Sequence, residues 1–278
     1  MSGFSPEWLA LREPADHRSR NSDLARLLMQ RFAALGRAVE VVDLGCGTGS
    51  NLRAAAGLLG AEQNWTLVDY DPALLAAARK ALSAWAKVTA ETGDTLTLAK
   101  GQRRIAVTFR QADLARDLDA ALGAKPDLVT AAAFFDLASR SFIGTVARAV
   151  AARRAAFYTV LTYNGIQRWQ PRHDADDELA AAFHAHQETD KGFGPASGPL
   201  APAHLAGAFR AERYDVHEGD SPWILGRGDA RLVGELATGF AAAAAETGRV
   251  DADTIASWTR VAHTGAEVGH TDTFAVPR

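Results

Sequence analysis

The stretch VVDLGCGTGS, residues 41–50, decides how the chain is read. The apolar run from Val39 to Leu44 has the length and β-branched content of a strand buried on both faces. It leads straight into Gly45, Gly47 and Gly49, spaced G-x-G-x-G. Glycine at the carboxyl end of a strand permits positive φ and lets backbone pass close to a ligand with no Cβ in the way. Ser50 or Asn51 is placed to cap the helix that follows, whose free N–H groups suit a carboxylate. That strand edge is where open α/β sheets hold their ligands.

Upstream, Asn21-Ser22-Asp23 is an N-cap cluster, Leu24, Leu27, Leu28 and Phe32 recur at helical spacing, and Gly36 closes the helix. Downstream, Trp65–Val68 predicts a second buried strand, and Asp71-Pro72 starts a helix running to about Val88. Thr95–Leu98 and Ile105–Phe109 flank Lys100-Gly101-Gln102 as a hairpin whose second strand joins the main sheet. Asp127–Ala133 and Ala155–Tyr163 are further strands, with a helix over Ile143–Arg153 between them. Strand and helix alternating over 163 residues predict a parallel sheet with helices on both faces, an α/β doubly wound fold. Beyond Tyr163 the rhythm changes. A helix over Asp176–Glu188 precedes the loop KGFGPASGP, and a helix near 202–210 and a strand near 213–217 follow. Helices at about 229–246 and 252–262 then separate that strand from a last one at 270–276.

Composition narrows the function classes. The 278 residues are 47% hydrophobic and 23% charged, as in an ordinary globular chain. A net charge of −3 gives no support to nucleic acid as a partner, because duplex binding needs many cationic contacts to phosphate. Cys46 is the single cysteine, so neither an internal disulfide nor a thiolate zinc site is available. No apolar run approaches the length of a bilayer span, and the first twenty residues lack a signal-peptide core, so the expectation is a cytoplasmic protein without a membrane partner. The oligomeric state is not legible.

The glycine string and three motifs after it resemble, in order, those of class I S-adenosylmethionine-dependent methyltransferases of the small-molecule type. A dinucleotide enzyme more often shows G-x-G-x-x-G. The resemblance covers about residues 39–163 and implies a seven-stranded, mostly parallel Rossmann-like sheet whose last strand is antiparallel. It implies S-adenosylmethionine as cofactor and a small molecule as methyl acceptor. Asp43, Gly45, Cys46, Gly47 and Gly49 would form the turn under the cofactor, with Cys46 a small filler. In WTLVDYDP, Asp69 with its neighbour Tyr70 resembles the ribose-binding acid; Asp71 is better explained as a helix cap. In FRQADLA, Asp113 and the Leu114 N–H resemble the adenine-binding pair. In DLVTAAAFFDLAS, the small residues about Ala132 leave room for the methionine arm, and Phe134 and Phe135 would wall the transfer site. Asp136 there reads either as a general base or acceptor-orienting group, or as the cap of a helix beginning near Ser139.

Domain boundaries follow: an N-terminal helical cap at 1–38, the cofactor-binding core at 39–163, and at 164–278 a substrate lid plus the completion of the sheet with its helical insertion. Arg20 in the cap reads either as a solvated surface guanidinium or as a partner of the cofactor's methionine carboxylate. Tyr163 ends the fifth strand at the site, and His184, His186, Asp190, Lys191 and Phe193 cluster at the glycine-rich loop as a lid would. His184 and His186 point roughly 200° apart on a helix, so they cannot share one metal, and no metal site is expected. His186 is the histidine assigned to substrate contact. Neither an Asn/Asp-Pro-Pro-aromatic string nor a magnesium-type acid set occurs. Two rivals stand beside the methyltransferase: an NAD(P)-dependent oxidoreductase on the same fold, and a non-catalytic S-adenosylmethionine-binding protein.

Overall fold

The computed structural model describes residues 4–278, so the first three residues of the expected 1–38 cap lie outside it. Helix α1 (Pro6–Ser19) is followed by α2 (Ser22–Phe32), where Asn21 accepts from the Asp23 and Leu24 amides as the cap cluster predicts. Then come β1 (Val39–Leu44), α3 (Ser50–Ala55), β2 (Glu62–Asp69) and α4 (Pro72–Trp85). Asp71 caps α4 through the Ala73 amide, with Pro72 at its first position. A β-ribbon, β3 (Lys87–Thr92) and β4 (Thr95–Lys100), leads into β5 (Arg103–Gln111). Next are α5 (Leu114–Leu122), β6 (Leu128–Ala132), α6 (Arg140–Ala152) and the long β7 (Ala156–Gln170). The last part comprises α7 (Asp176–Gln187), α8 (Ala201–Ala211), β8 (Tyr214–Asp220), β9 (Trp223–Leu225), α9 (Ala230–Glu246), α10 (Ala252–Thr259) and β10 (Gly265–Pro277).

One sheet unites the molecule, in the order β3-β4-β5-β2-β1-β6-β7-β10-β8, with β9 paired to β10. The contacts β5–β2, β2–β1, β1–β6 and β6–β7 are parallel, and β10 runs antiparallel to both β7 and β8. The Rossmann-like architecture is thus present, with ten strands among the described residues where seven were expected. Seven make the expected sheet; β3 and β4 widen one edge and β9 is a short addition. The helices α9 and α10 do separate β8 from β10, yet β10 returns between β7 and β8, so the insertion leaves the sheet's closure intact. The central strands β1 and β6 are buried along nearly their whole length, as expected of parallel strands covered on both faces.

Three local readings change. The α3 N-cap is Gly49 at φ +74°, with no side-chain cap; Asn51 points inward instead. Ser139, not Asp136, caps α6 through the Phe142 amide. Helix α4 stops at Trp85 because the chain turns into β3, whose six residues are all exposed.

Candidate functional site

The glycine turn adopts the conformation its spacing predicts: Gly45, Gly47 and Gly49 have φ of +62°, +52° and +74°. Asp69 ends β2 beside it and accepts the Gly47 amide at 2.8 Å and the Asp71 amide at 3.1 Å. Burial raises the Asp69 carboxyl, which these amides partly offset. Tyr70 stands exposed next to it. Asp113 lies where β5 ends alongside β2; it accepts the Ala115 amide at 3.0 Å as the α5 cap, with Leu114 buried behind it. Acids thus end three adjacent strands at one sheet edge, Asp43 on β1, Asp69 on β2 and Asp113 after β5.

Asp43 is fully buried on β1. Its Oδ1 accepts Asn51 Nδ2 at 2.7 Å, and its Oδ2 has no protein partner. Burial pushes its carboxyl up to about 7, opposed by Asn51 and by the Arg20 guanidinium. Asn51 also donates to Thr130 at 3.0 Å and accepts Arg20 Nη1 at 2.9 Å. Arg20 Nε is buried and unpartnered. An unpartnered carboxylate oxygen and an unpartnered guanidinium N–H thus sit out of water within one network. Native proteins rarely bury such atoms without a use for them. Cys46 is buried in the turn, its thiol pushed far up by burial, which makes it inert filler.

Helix α1 lies over this turn. Leu9 Cδ1 is 3.0 Å from where a Gly47 Cβ would stand, and Phe134 Cδ2 is 2.7 Å from the equivalent point on Gly45. The helix is tied down by polar contacts: Glu13 pairs with Arg53, His17 bonds Ser50 Oγ at 3.0 Å, and Arg18 meets Asp229 at 2.8 Å. Arg12 pairs with Asp16 at 2.9 Å and lies over the Trp223 ring, 5.5 Å from its centroid.

Beyond the turn, Ala132 ends β6 and Ala133 takes φ +49°, which redirects the chain into Phe134-Phe135-Asp136. The rings of Phe134 and Phe142 contact Phe193 of the glycine-rich loop, at 5.4 and 4.6 Å between centroids. That loop is folded by Asp190, which accepts the Gly192 and Gly194 amides. Asp136 Oδ1 is out of solvent and unpartnered, and burial pushes its carboxyl up to about 6. Tyr163 is buried on β7, and its hydroxyl is 2.9 Å from His184 Nε2. Burial first, then the charge of Asp136, raises the Tyr163 phenol. His186 points away from Tyr163 and meets Glu246 of α9 at 3.0 Å. The two histidines therefore diverge as their spacing requires, and His184 is the one that meets Tyr163.

Residues that sequence reading did not single out complete this region. His270 on β10 is buried between Tyr163 and Trp223, with ring centroids 6.4 and 5.2 Å away. Burial, reinforced by the Arg12 charge, lowers it to about 3, so it is neutral. Arg12 had one local signal, its i,i+4 spacing to Asp16; Trp223 and His270 had none, since β9 and β10 meet α1 only in three dimensions.

Residues 41–105 match the family model described as a methyltransferase domain. No curated protein matches the chain. Among solved structures, the cyclopropane synthase MmaA2 of Mycobacterium tuberculosis superposes with a TM-score of 0.52 at 12% identity, over 98% of this chain and 94% of that one. The YcgJ protein of Bacillus subtilis gives 0.49 at 14% identity, over 93% and 99%. A phosphoethanolamine N-methyltransferase of Haemonchus contortus, solved with phosphomonomethylethanolamine and S-adenosylhomocysteine, gives 0.48 at 12% identity, over 100% and 58%. Sheet order, glycine turn and family match together define an enzyme of the methyltransferase class. The match spans β1 to the start of β5, the segment that carries the glycine turn and Asp69. Among the described residues, no helix is long and apolar enough to cross a membrane.

Proposed function

We propose that the protein transfers a methyl group from S-adenosylmethionine to a small-molecule acceptor held between Asp136 and Tyr163. The observation that carries this reading is the pair of buried, unpartnered groups of opposite sign, Asp43 Oδ2 and Arg20 Nε, bridged by Asn51. The amino-acid end of the cofactor is a zwitterion: its ammonium suits Asp43, and its carboxylate suits Arg20. Asp69 is the ribose ligand in this reading, with Tyr70 beside it, and Asp113 with the Leu114 amide receives the adenine amino group. Gly45, Cys46, Gly47 and Gly49 form the floor, and Ala132 leaves space for the methionine arm. When bound, the cofactor supplies an electrophilic methyl group on a sulfonium.

The chain's own work is then to hold the acceptor in line, exclude water and receive a proton. Phe134, Phe142 and Phe193 wall the acceptor side against water. Asp136 is the group placed to take the acceptor's proton, and the Tyr163 phenol, kept protonated by burial, helps to orient it. His186 lies on the outer face of the lid helix and would act only if α7 turned. Because Leu9 and Phe134 cover the turn, nucleoside entry requires α1 and Phe134 to move.

Calorimetry with S-adenosylhomocysteine tests the reading. Binding is expected for the wild type, with loss in Asp69→Ala. A thermal shift with NADPH and none with S-adenosylhomocysteine would make the protein an oxidoreductase and overturn the proposal. Binding without label transfer to any small molecule would leave a non-catalytic binding protein.

A further inference from the structure

Asp272 on β10 is a carboxylate with no exposure to solvent, and donors from three separate parts of the chain converge on it. Its Oδ2 accepts the Asn21 amide at 2.9 Å. Its Oδ1 accepts the Leu161 amide at 2.8 Å and Ser221 Oγ at 2.5 Å. All three donors are neutral groups. A buried carboxylate held by neutral donors is a costly fastening, since an apolar side chain of similar volume would pack there without desolvation. What the carboxylate fixes is geometry.

Leu161 belongs to a β-bulge in β7. Thr271 and Thr273 of β10 face Thr162 and Thr159, so Val160 and Leu161 together oppose Asp272. Leu161 takes φ +58°, a region that residues with a Cβ rarely occupy. Ser221 follows β8, and its amide is tied back to the His270 carbonyl at 3.0 Å. The third donor, the Asn21 amide, is part of the peptide that joins Arg20 to Asn21, where α1 ends and α2 begins.

Arg20 leaves the helical conformation at that joint, with φ −59° and ψ 139°, so the direction of its side chain follows the setting of one peptide. The joint is seated from the other side as well. Asn21 lies against Gly219 of β8, the residue opposite Asp272 in the ladder, and a Cβ on Gly219 would collide with the Asn21 side chain. Asn21 Nδ2 also donates to the Asp220 carbonyl at 3.0 Å. From this seat Arg20 Nη1 reaches Asn51 Oδ1 at 2.9 Å, Asn51 bonds Asp43, and Arg20 Nε is left buried without a protein acceptor.

We infer that Asp272 is a positioning residue: by gripping the Arg20–Asn21 peptide it aims the Arg20 guanidinium at the carboxylate of the cofactor's amino-acid end. This deepens the proposed function and rests on it, because Arg20 is the carboxylate ligand only in that reading. Asp272→Asn is a selective probe. The amide oxygen can keep the two donors at Oδ1, and the –NH2 then falls opposite the Asn21 N–H, donor against donor.

The test uses the whole chain and calorimetry with two ligands, S-adenosylhomocysteine and its decarboxylated form, which keeps the ammonium and lacks only the carboxylate. A wild type that does not bind S-adenosylhomocysteine sinks the underlying reading. With that binding established, the wild type should hold S-adenosylhomocysteine more tightly than the decarboxylated ligand. Asp272→Asn should weaken S-adenosylhomocysteine by about 10-fold or more, the worth of a hydrogen bond to a charged group, and leave the decarboxylated ligand unchanged. Gly219→Ala, which displaces Asn21 and touches no buried charge, should show the same selective loss, and it carries the test if Asp272→Asn does not fold. In an Arg20→Ala background neither substitution should weaken binding further. Equal loss of both ligands would make Asp272 a support of the fold alone and overturn the inference. Unchanged S-adenosylhomocysteine affinity in the variants, equal affinity of the wild type for the two ligands, or full additivity with Arg20→Ala would overturn it too.

Discussion

Trp223 Nε1 donates to Asp16 Oδ1 at 3.1 Å, joining the first helix of the chain to β9 across 207 residues. Asp16 also holds Arg12, so a single buried carboxylate organises the attachment of α1 over the glycine turn. Hydrogen bonds to a buried charged group contribute about 1.5–3 kcal/mol each. Asp16→Ala and Trp223→Phe are therefore expected to speed amide exchange across α1 and to accelerate both association and release of S-adenosylhomocysteine. Hydrogen-exchange mass spectrometry and stopped-flow binding measure this. Unchanged α1 protection in both variants would mean that the helix is held by its other ties.

At Gly47 the φ of +52° alone costs a β-branched residue about 1–2 kcal/mol. Its new side chain would in addition meet Leu9, 3.0 Å from the Cβ position. Gly47→Val is expected to abolish S-adenosylhomocysteine binding in calorimetry. Gly57→Ala, at a glycine with open space about its Cβ position, should bind as the wild type does.

Asp43 sets a pH dependence. Its carboxyl is raised from the ordinary range to about 7 by burial, so the folded state holds more protons than the unfolded chain between about pH 4 and 7. Its contribution to stability is thus fully present below pH 4 and is lost as pH rises through about 7. Ligand affinity runs the other way, because an ammonium stabilises the ionised carboxylate. S-adenosylhomocysteine should bind most tightly above pH 7 and more weakly toward pH 5.5, with release of at most one proton. Calorimetry in buffers of different ionisation enthalpy reads this directly, and Asp43→Asn should flatten the profile.

The two histidines of α7 should separate experimentally. His186 meets Glu246 at a largely exposed position, a contact of about 0.5 kcal/mol at most. His186→Ala should leave Tm within about 2 °C of the wild type. His184→Ala leaves the buried Tyr163 hydroxyl without its acceptor, which costs about 1–3 kcal/mol and should lower Tm clearly. Differential scanning calorimetry of both variants checks the contrast; a larger effect at His186 would contradict the Tyr163–His184 bond.

The local chain determined what depends on short-range order. Val39–Leu44, the three glycines, the Asn21 cap and the Asp71-Pro72 helix start could be read at once, because a buried strand, a positive φ and a capped helix each leave a signature within ten residues. Asp69 and Asp113 were legible for the same reason, as strand-end acids in a fixed rhythm. Tertiary structure decided the rest. Helix α1 has no apolar stripe to announce it, being held largely by side-chain pairs to distant elements. Strand β3 lies exposed on both faces and so carries no alternation, and β9 has only three residues. Asn51 looked like a cap and instead became the bridge between Asp43 and Arg20, because Gly49 ends the turn by itself. The pairing of Tyr163 with His184, and of Tyr163 with His270, arises only where β7, α7 and β10 meet, since hydrogen bonds and burial depend on distance in space and a sequence records only distance along the chain.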